Sequence, residues 1–146
     1  MQLTRRGEYA IRAMYDLAVH EEVGIIYSKE IANRQQIPPK YIAQIILDLS
    51  RAGLVYTNRG AHGGVRLAKS ASEINLKEIV EAIEGPMSLN ICLLREGECE
   101  REDDCPMYEI WVKIQGDMLK TMTDTTLTVL KSFHDKKKRL LNTTID

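Results

Sequence analysis

Apolar positions recur with helical spacing through the first third of the chain. Ala10, Ile11, Met14, Leu17 and Ala18 fall at i, i+1, i+4, i+7 and i+8, which predicts a first helix buried along one face. Ser28 is placed to cap a short second helix carrying Ile31 and Ala32. Ile37-Pro38-Pro39 then interrupts the pattern, with Pro39 in the tolerated first turn of a third helix. The inner face of that helix is Ile42, Ile45, Ile46 and Leu49, and Gly53 suits its end. Two helices joined by a tight break make a helix-turn-helix candidate.

After Gly53 the period changes. Leu54-Val55-Tyr56-Thr57-Asn58 and Val65-Arg66-Leu67-Ala68 read as two strands around the glycine-rich loop 59–64. Helix, helix, hairpin is the winged-helix order. Asn75 and Glu78 have the spacing of a capping box for a fourth helix, with Leu76, Ile79, Val80 and Ile83 on its inner face and Gly85-Pro86 as its stop. From Pro106 to about His134 no helix breaker occurs, while Met107, Trp111, Ile114, Met118 and Met122 recur every three or four residues, with Leu130 and Phe133 beyond. Such a helix would run ~40 Å at ~1.5 Å per residue. Its apolar stripe is expected to pack against the same helix of a second subunit; the alternative is that it folds back over its own domain. The fold class is mainly α with a small β-wing. A winged helix-turn-helix domain is expected at 1–86, a cysteine-bearing loop at 87–105, and a long dimerisation helix with a tail at 106–146.

Length and charge narrow the function. The 146 residues suffice for one ordinary core. The formal net charge of -1 conceals an asymmetry: residues 1–75 carry ten cationic against seven anionic side chains, and residues 76–146 ten against fourteen. The basic half is the one able to approach phosphate. No apolar run approaches the ~20 residues of a membrane span, and the first six residues lack a secretory pattern, so a cytoplasmic protein with no membrane partner is expected. No phosphate loop, nucleophile elbow or paired metal-binding histidines occur, which argues against an enzyme and against a small-molecule substrate.

The outer face of the third helix carries Lys40, Tyr41 and Gln44, with Ala43 leaving room for close approach. Glutamine can pair with an adenine edge, and Tyr and Lys can hold phosphate. Arg59 beside Gly60 at the hairpin tip suits a narrow minor groove. Ser28, Pro39, Lys40, Tyr41, Gln44, Arg51, Arg59 and Gly60 are the candidate DNA-binding residues, and double-stranded DNA the expected partner.

Cys92, Cys99 and Cys105 are the chain's three cysteines, and 95–104 around them holds six acids and two arginines. An odd count in a reducing compartment argues against a disulfide framework and for a metal or iron-sulfur site one ligand short. Structural zinc usually uses close Cys pairs, absent here; a metal-free thiol switch stays open.

These parts resemble the IscR/NsrR-type winged-helix regulators, dimeric bacterial transcription factors that sense iron-sulfur status, nitric oxide or redox state. The resemblance rests on Leu3-Thr4-Arg5-Arg6-Gly7-Glu8-Tyr9-Ala10, on Ile37-Pro38-Pro39-Lys40-Tyr41-Ile42, on Arg59-Gly60 to Gly63-Gly64-Val65-Arg66-Leu67, and on the three-cysteine loop. It implies a homodimer on a palindromic operator, and an iron-sulfur cluster on the cysteines, 2Fe-2S rather than 4Fe-4S by analogy with IscR. Iron-sulfur assembly genes are the implied targets; a nitric-oxide-sensing repressor or a cluster-free thiol-switch regulator are the alternatives, and a small electron-transfer protein is the reading from another class. Two features depart from the family. The cysteine gaps are six and five residues instead of five and five, and Tyr108 stands where IscR has a ligating histidine. The resemblance to the nitric-oxide sensors makes Glu8 of the other subunit the replacement ligand; the plainer role for Glu8 is a first-turn acid favoured by the helix dipole. His20, His62 and His134 stand at no position the family uses.

Overall fold

A computed structural model describes residues 3–60, 63–95 and 97–143. Helices α1 (Arg5–Val19), α2 (Ser28–Gln35) and α3 (Pro39–Arg51) are followed by strands β1 (Val55–Asn58) and β2 (Gly64–Leu67), then α4 (Leu76–Glu84), α5 (Ile91–Leu94), α6 (Tyr108–Asp124) and α7 (Leu127–Thr143). The chain is mainly helical with one antiparallel two-stranded wing, in which Val55 pairs with Leu67 and Tyr56 with Arg66.

Small and aliphatic residues bring α1 into the middle. Ala10, Ala13, Met14, Leu17 and Ala18 are essentially fully buried, and α2, α3, α4 and α7 all pack on this helix. The Thr4 hydroxyl starts α1, accepting from the Gly7 amide and donating to Glu84 Oε1 at the end of α4; the Thr4 amide donates to the same oxygen. Gly7 lets the two helices come close here: a Cβ would sit 2.2 Å from Glu84 Oε1 and 2.7 Å from Leu3 Cδ1, so both side chains would have to move to accept one. The inner face expected for α3, Ile42, Ile45, Ile46 and Leu49, is buried as a set. Its N1 position is Pro39, and Gln36, in the left-handed region at φ 53°, closes α2 and sets the tight turn between them.

Ser28 does not cap α2. Tyr27 is the N-cap, extended at φ -70° and ψ 136°, its carbonyl accepts from the Glu30 and Ile31 amides, and Ser28 is already the first helical residue. Strand β1 starts one residue later than its sequence pattern suggests and ends where expected, while β2 begins and ends one residue earlier. Val65 bridges back to Ile26, and Gly64 lies so close to that segment that a Cβ would meet the Ile26 carbonyl oxygen at 2.8 Å. The capping box of α4 forms as expected, Asn75 Oδ1 accepting from the Glu78 amide and Glu78 Oε2 from the Asn75 amide.

The uninterrupted helix expected from Pro106 to His134 is broken. The chain leaves the helix at Thr125-Thr126, where Thr126 forms a bridge with Asn75, the Leu76 amide donates to the Thr125 carbonyl at 3.0 Å, and the Leu127 amide donates to the Ile74 carbonyl at 2.9 Å. These backbone bonds replace those the helix gives up, and fully buried Leu127 enters the core. Helix α7 then turns back over α1, with the rings of Tyr15 and His134 5.7 Å apart. Burial, with Asp135 and Asp16 nearby, pushes the Tyr15 hydroxyl above its usual pKa. The stretch expected as one arm is therefore two pieces: α7 covers the chain's own domain, and α6 has no buried residue.

One buried charge holds the first two helices together. Asp16, 1% exposed, accepts from Arg34 Nε at 3.1 Å and Nη2 at 2.7 Å, and from Gln35 Nε2 at 3.0 Å. The hydrogen bond to Asp16 raises the Arg34 pKa further, against a smaller effect of burial. The two partners are unequal, since Arg34 can reach water when Asp16 is removed, whereas Asp16 cannot when Arg34 is removed. Arg34→Met is therefore expected to lower unfolding free energy by about 3 kcal/mol. Asp16→Asn is expected to cost about 1–2 kcal/mol, both read from urea denaturation. The opposite order would contradict this account of the pair.

Candidate nucleic-acid interface and cysteine loop

Helix α3 offers an outward stripe of Lys40, Gln44, Leu47 and Arg51, spaced by three or four residues, with Ala43 beside Gln44, all exposed. Leu47, 43% exposed in the middle of the stripe, was not among the expected contacts. An apolar side chain there can meet a thymine methyl group. Tyr41 is only half exposed; its ring lies 5.4 Å from that of Tyr9 in α1, and Lys40 Nζ sits 4.9 Å from its centroid. Tyr41 therefore holds α3 against α1 as well as standing near the outer face.

Gln44 is not a free amide. Its Nε2 donates to Asp48 Oδ1 at 2.9 Å, while Arg6 Nη2 from α1 donates to Asp48 Oδ2 at 2.6 Å and Arg51 Nη1 lies 3.7 Å from Oδ1. The sequence signals for these two side chains were weak: Asp48 stands i+4 from Gln44, but Arg6 is 42 residues away and only the packing of α1 on α3 brings it in. At the wing, Arg59 and Gly60 are exposed, Gly60 with φ 100°. Ala61 and His62 lie outside the described residues. Ser28 and Pro39 stand at the starts of α2 and α3, so the expected DNA contacts fall on the turn-linked helices and the wing.

Glu8 is engaged on both sides. Arg5 Nη1 donates to Oε2 at 2.9 Å and Arg12 Nη2 to Oε1. Arg12 also lies over the Tyr9 ring, 5.8 Å from its centroid. The expected ligand position is thus joined to Tyr9, and Tyr9 to Tyr41 on the reading helix.

Cys92 sits in α5, a single turn that the sequence pattern did not signal, while Cys99 and Cys105 lie in the turns that follow. All three are free thiols of intermediate exposure. The loop is closed by its own bonds: the Gly97 amide donates to Glu102 Oε2 at 2.8 Å, the Glu102 amide to the Cys99 carbonyl at 3.1 Å, and Arg95 pairs with Glu98 at 2.9 Å. Cys92 faces a cleft of about 410 Å³ shared with Tyr108 and α6, and Cys99 a neighbouring hollow; Glu102 borders both. As folded, the loop keeps its donors apart, and among the described residues no three His, Cys, Asp or Glu side chains converge as a metal-binding group. The donor type nevertheless fits an iron-sulfur group: three soft thiols, none of them in a disulfide, within one loop. His20 is used elsewhere, its Nδ1 2.8 Å from the Asp16 carbonyl oxygen, and His134 faces Tyr15.

Known proteins share this architecture. The chain is 34% identical over 127 residues to the HTH-type transcriptional regulator IscR of Pectobacterium carotovorum, covering 87% of this chain and 77% of that protein. Against IscR of Escherichia coli the identity is 32%, covering 87% of this chain and 78% of that one. Among solved structures, CymR, the global cysteine regulator of B. subtilis, superimposes with a TM-score of 0.76 at 28% identity, covering 91% of this chain and 98% of that one. IscR of T. potens does so with a TM-score of 0.73 at 27% identity, covering 94% and 90%. The family model for Rrf2, described as iron-dependent transcriptional regulator, matches residues 3–132. With its turn-linked helices and wing carrying the polar and cationic side chains of a DNA reader, the chain belongs to the Rrf2 family of transcriptional regulators.

Proposed function

We propose that this regulator is a homodimer that binds a palindromic operator and adjusts its affinity through an iron-sulfur cluster held by Cys92, Cys99 and Cys105. The observation that carries the reading is the set of three unpaired thiols in one acidic loop that runs directly into α6. Glu8 of the partner subunit is the proposed fourth ligand, in place of the histidine that Tyr108 replaces. When bound, the cluster supplies a group that oxygen or nitric oxide can destroy; 2Fe-2S is favoured over 4Fe-4S by the likeness to IscR. Iron-sulfur assembly genes are the proposed targets.

The chain's own residues provide the rest. Ligation by three thiolates would gather a loop that otherwise keeps its donors apart. Glu8 would have to leave Arg5 and Arg12, and Arg12 rests on Tyr9, which meets Tyr41 in α3. Dimerisation is assigned to α6 and its N-cap, where Met107, Ile110 and Ile114 share one face and are between 41% and 49% exposed. An apolar surface of this kind on a helix beside the cysteine loop suits a second copy, and two-fold symmetry matches two half-sites. Among the described residues no helix is long and apolar enough to cross a membrane.

A second reading is a cluster-free regulator answering sulfur or oxidant status, favoured by the likeness to the cysteine regulator CymR. Anaerobic purification with iron, sulfide and zinc analysis separates the two. The proposal expects about two irons and two sulfides per subunit with visible charge-transfer absorption, lost in Cys92→Ala while the dimer persists. No metal after anaerobic reconstitution would favour the thiol reading. For the interface, Ile110→Glu is expected to give a folded monomer in sedimentation experiments; an unchanged dimer would place the interface elsewhere. On DNA, Arg59→Ala is expected to weaken binding about tenfold or more in a mobility-shift titration, and unchanged affinity would remove the wing from the contact.

A further inference from the structure

The exposed base-reading candidate Gln44 is tied to a carboxylate on its own helix. Asp48 follows it by one turn, its side chain only 17% exposed, and accepts Gln44 Nε2–H at 2.9 Å. A carboxylate on a helix that approaches DNA is repelled by phosphate, which calls for a reason to keep it there. Here Arg6 at 2.6 Å and Arg51 at 3.7 Å offset its charge. Arg6 comes from α1 and fixes the carboxylate from behind, leaving Oδ1 to Gln44.

We infer that Asp48 is a positioning residue that sets which end of the Gln44 amide faces DNA. A carboxylate only accepts hydrogen bonds, so turning the amide over would press Gln44 Oε1 against Asp48 Oδ1. The amide is thereby held with Nε2 on Asp48 and Oε1 free. One Nε2–H also remains free, since the nitrogen carries two. The available pair, an acceptor beside a donor, matches the major-groove edge of adenine: its N6 amino group donates to Oε1 and its N7 accepts the second Nε2–H. Guanine presents acceptors at both N7 and O6, and its O6 would face Oε1. A glutamine free to turn still could not satisfy guanine fully, but it could present Nε2 toward O6; the lock removes that option. Adenine over guanine at one position in each half-site follows. This rests on the proposal that α3 reads an operator, and it adds the base and the residue that selects it.

The test takes the full-length chain through selection from a duplex library randomised across two half-sites. Affinities for the enriched duplex and its single-base variants are then measured by fluorescence anisotropy. Wild type should prefer adenine over guanine by about tenfold at one position per half-site, and Gln44→Ala should lose that preference there alone. Asp48→Asn keeps the shape but can donate as well as accept, so the preference should fall to about threefold or less, with preferences at other positions and the salt dependence unchanged. Arg6→Gln removes the bond from α1 while leaving the Gln44–Asp48 bond, and should keep the adenine preference. A purely structural role for Asp48 would not alter the choice at a single base. Unchanged preference in Asp48→Asn, alongside its loss in Gln44→Ala, would overturn the inference and leave operator reading intact. A silent Gln44→Ala would overturn it too, and no enriched sequence at all would overturn the operator reading beneath it. Should Asp48→Asn fail to fold, the wild-type protein on a duplex with purine in place of that adenine decides: undiminished affinity without the N6 amino group overturns the assignment.

Discussion

Burial of α1 against four other helices is the constraint from which the rest of the arrangement follows. Ala10, Ala13 and Ala18 let neighbours come close, Gly7 gives room to Glu84, and Met14 and Leu17 fill the space between them. The N-terminal half of this helix keeps a group of polar side chains that are not buried: Arg5, Arg6, Glu8, Tyr9 and Arg12. Those side chains are also the ones that meet α3, through Arg6 to Asp48 and Tyr9 to Tyr41. A shift of the α1 N-terminal segment therefore has two direct contacts with the helix that carries Lys40 and Gln44. Packing density makes such contacts hard to deform gradually, which favours discrete arrangements over continuous adjustment.

The helical and strand pattern of the first 86 residues was legible because each element obeys local rules. Ile42, Ile45, Ile46 and Leu49 bury together, Pro39 opens α3, and the Asn75–Glu78 box opens α4, all from spacing that tertiary contacts did not override. Ser28 misled because a serine before an apolar run also fits the first helical position, and the extended Tyr27 backbone took the cap. The break at Thr125-Thr126 was hidden for a different reason. Neither residue forbids a helix, and the bonds that end it come from Ile74 and Leu76, some fifty positions earlier in the chain. Long-range pairing of this kind leaves no periodic trace.

The candidate site was legible as residue types and much less as geometry. Gln44, Lys40 and Arg59 stood out for what they can touch, yet the grip of Asp48 on Gln44 and of Arg5 and Arg12 on Glu8 appears only once α1 and α3 are placed. The cysteines were visible at once by their count, while the turns that hold them apart were not. Their acidic surroundings and their continuity with α6 join the proposed sensing loop to the proposed dimer interface, so one segment touches both roles.

In the reading proposed above, the state of the cysteine loop sets affinity for DNA. The decisive experiment is anaerobic titration of one selected operator duplex with the same preparation before and after the cluster is removed by nitric oxide. A tenfold difference corresponds to ~1.4 kcal/mol of coupling, within reach of a rearranged ligand loop acting through α1 and α3. A change of at least that size, abolished in Cys92→Ala, is expected; identical affinities for the cluster-bound and cluster-free protein would mean that the loop does not control DNA binding.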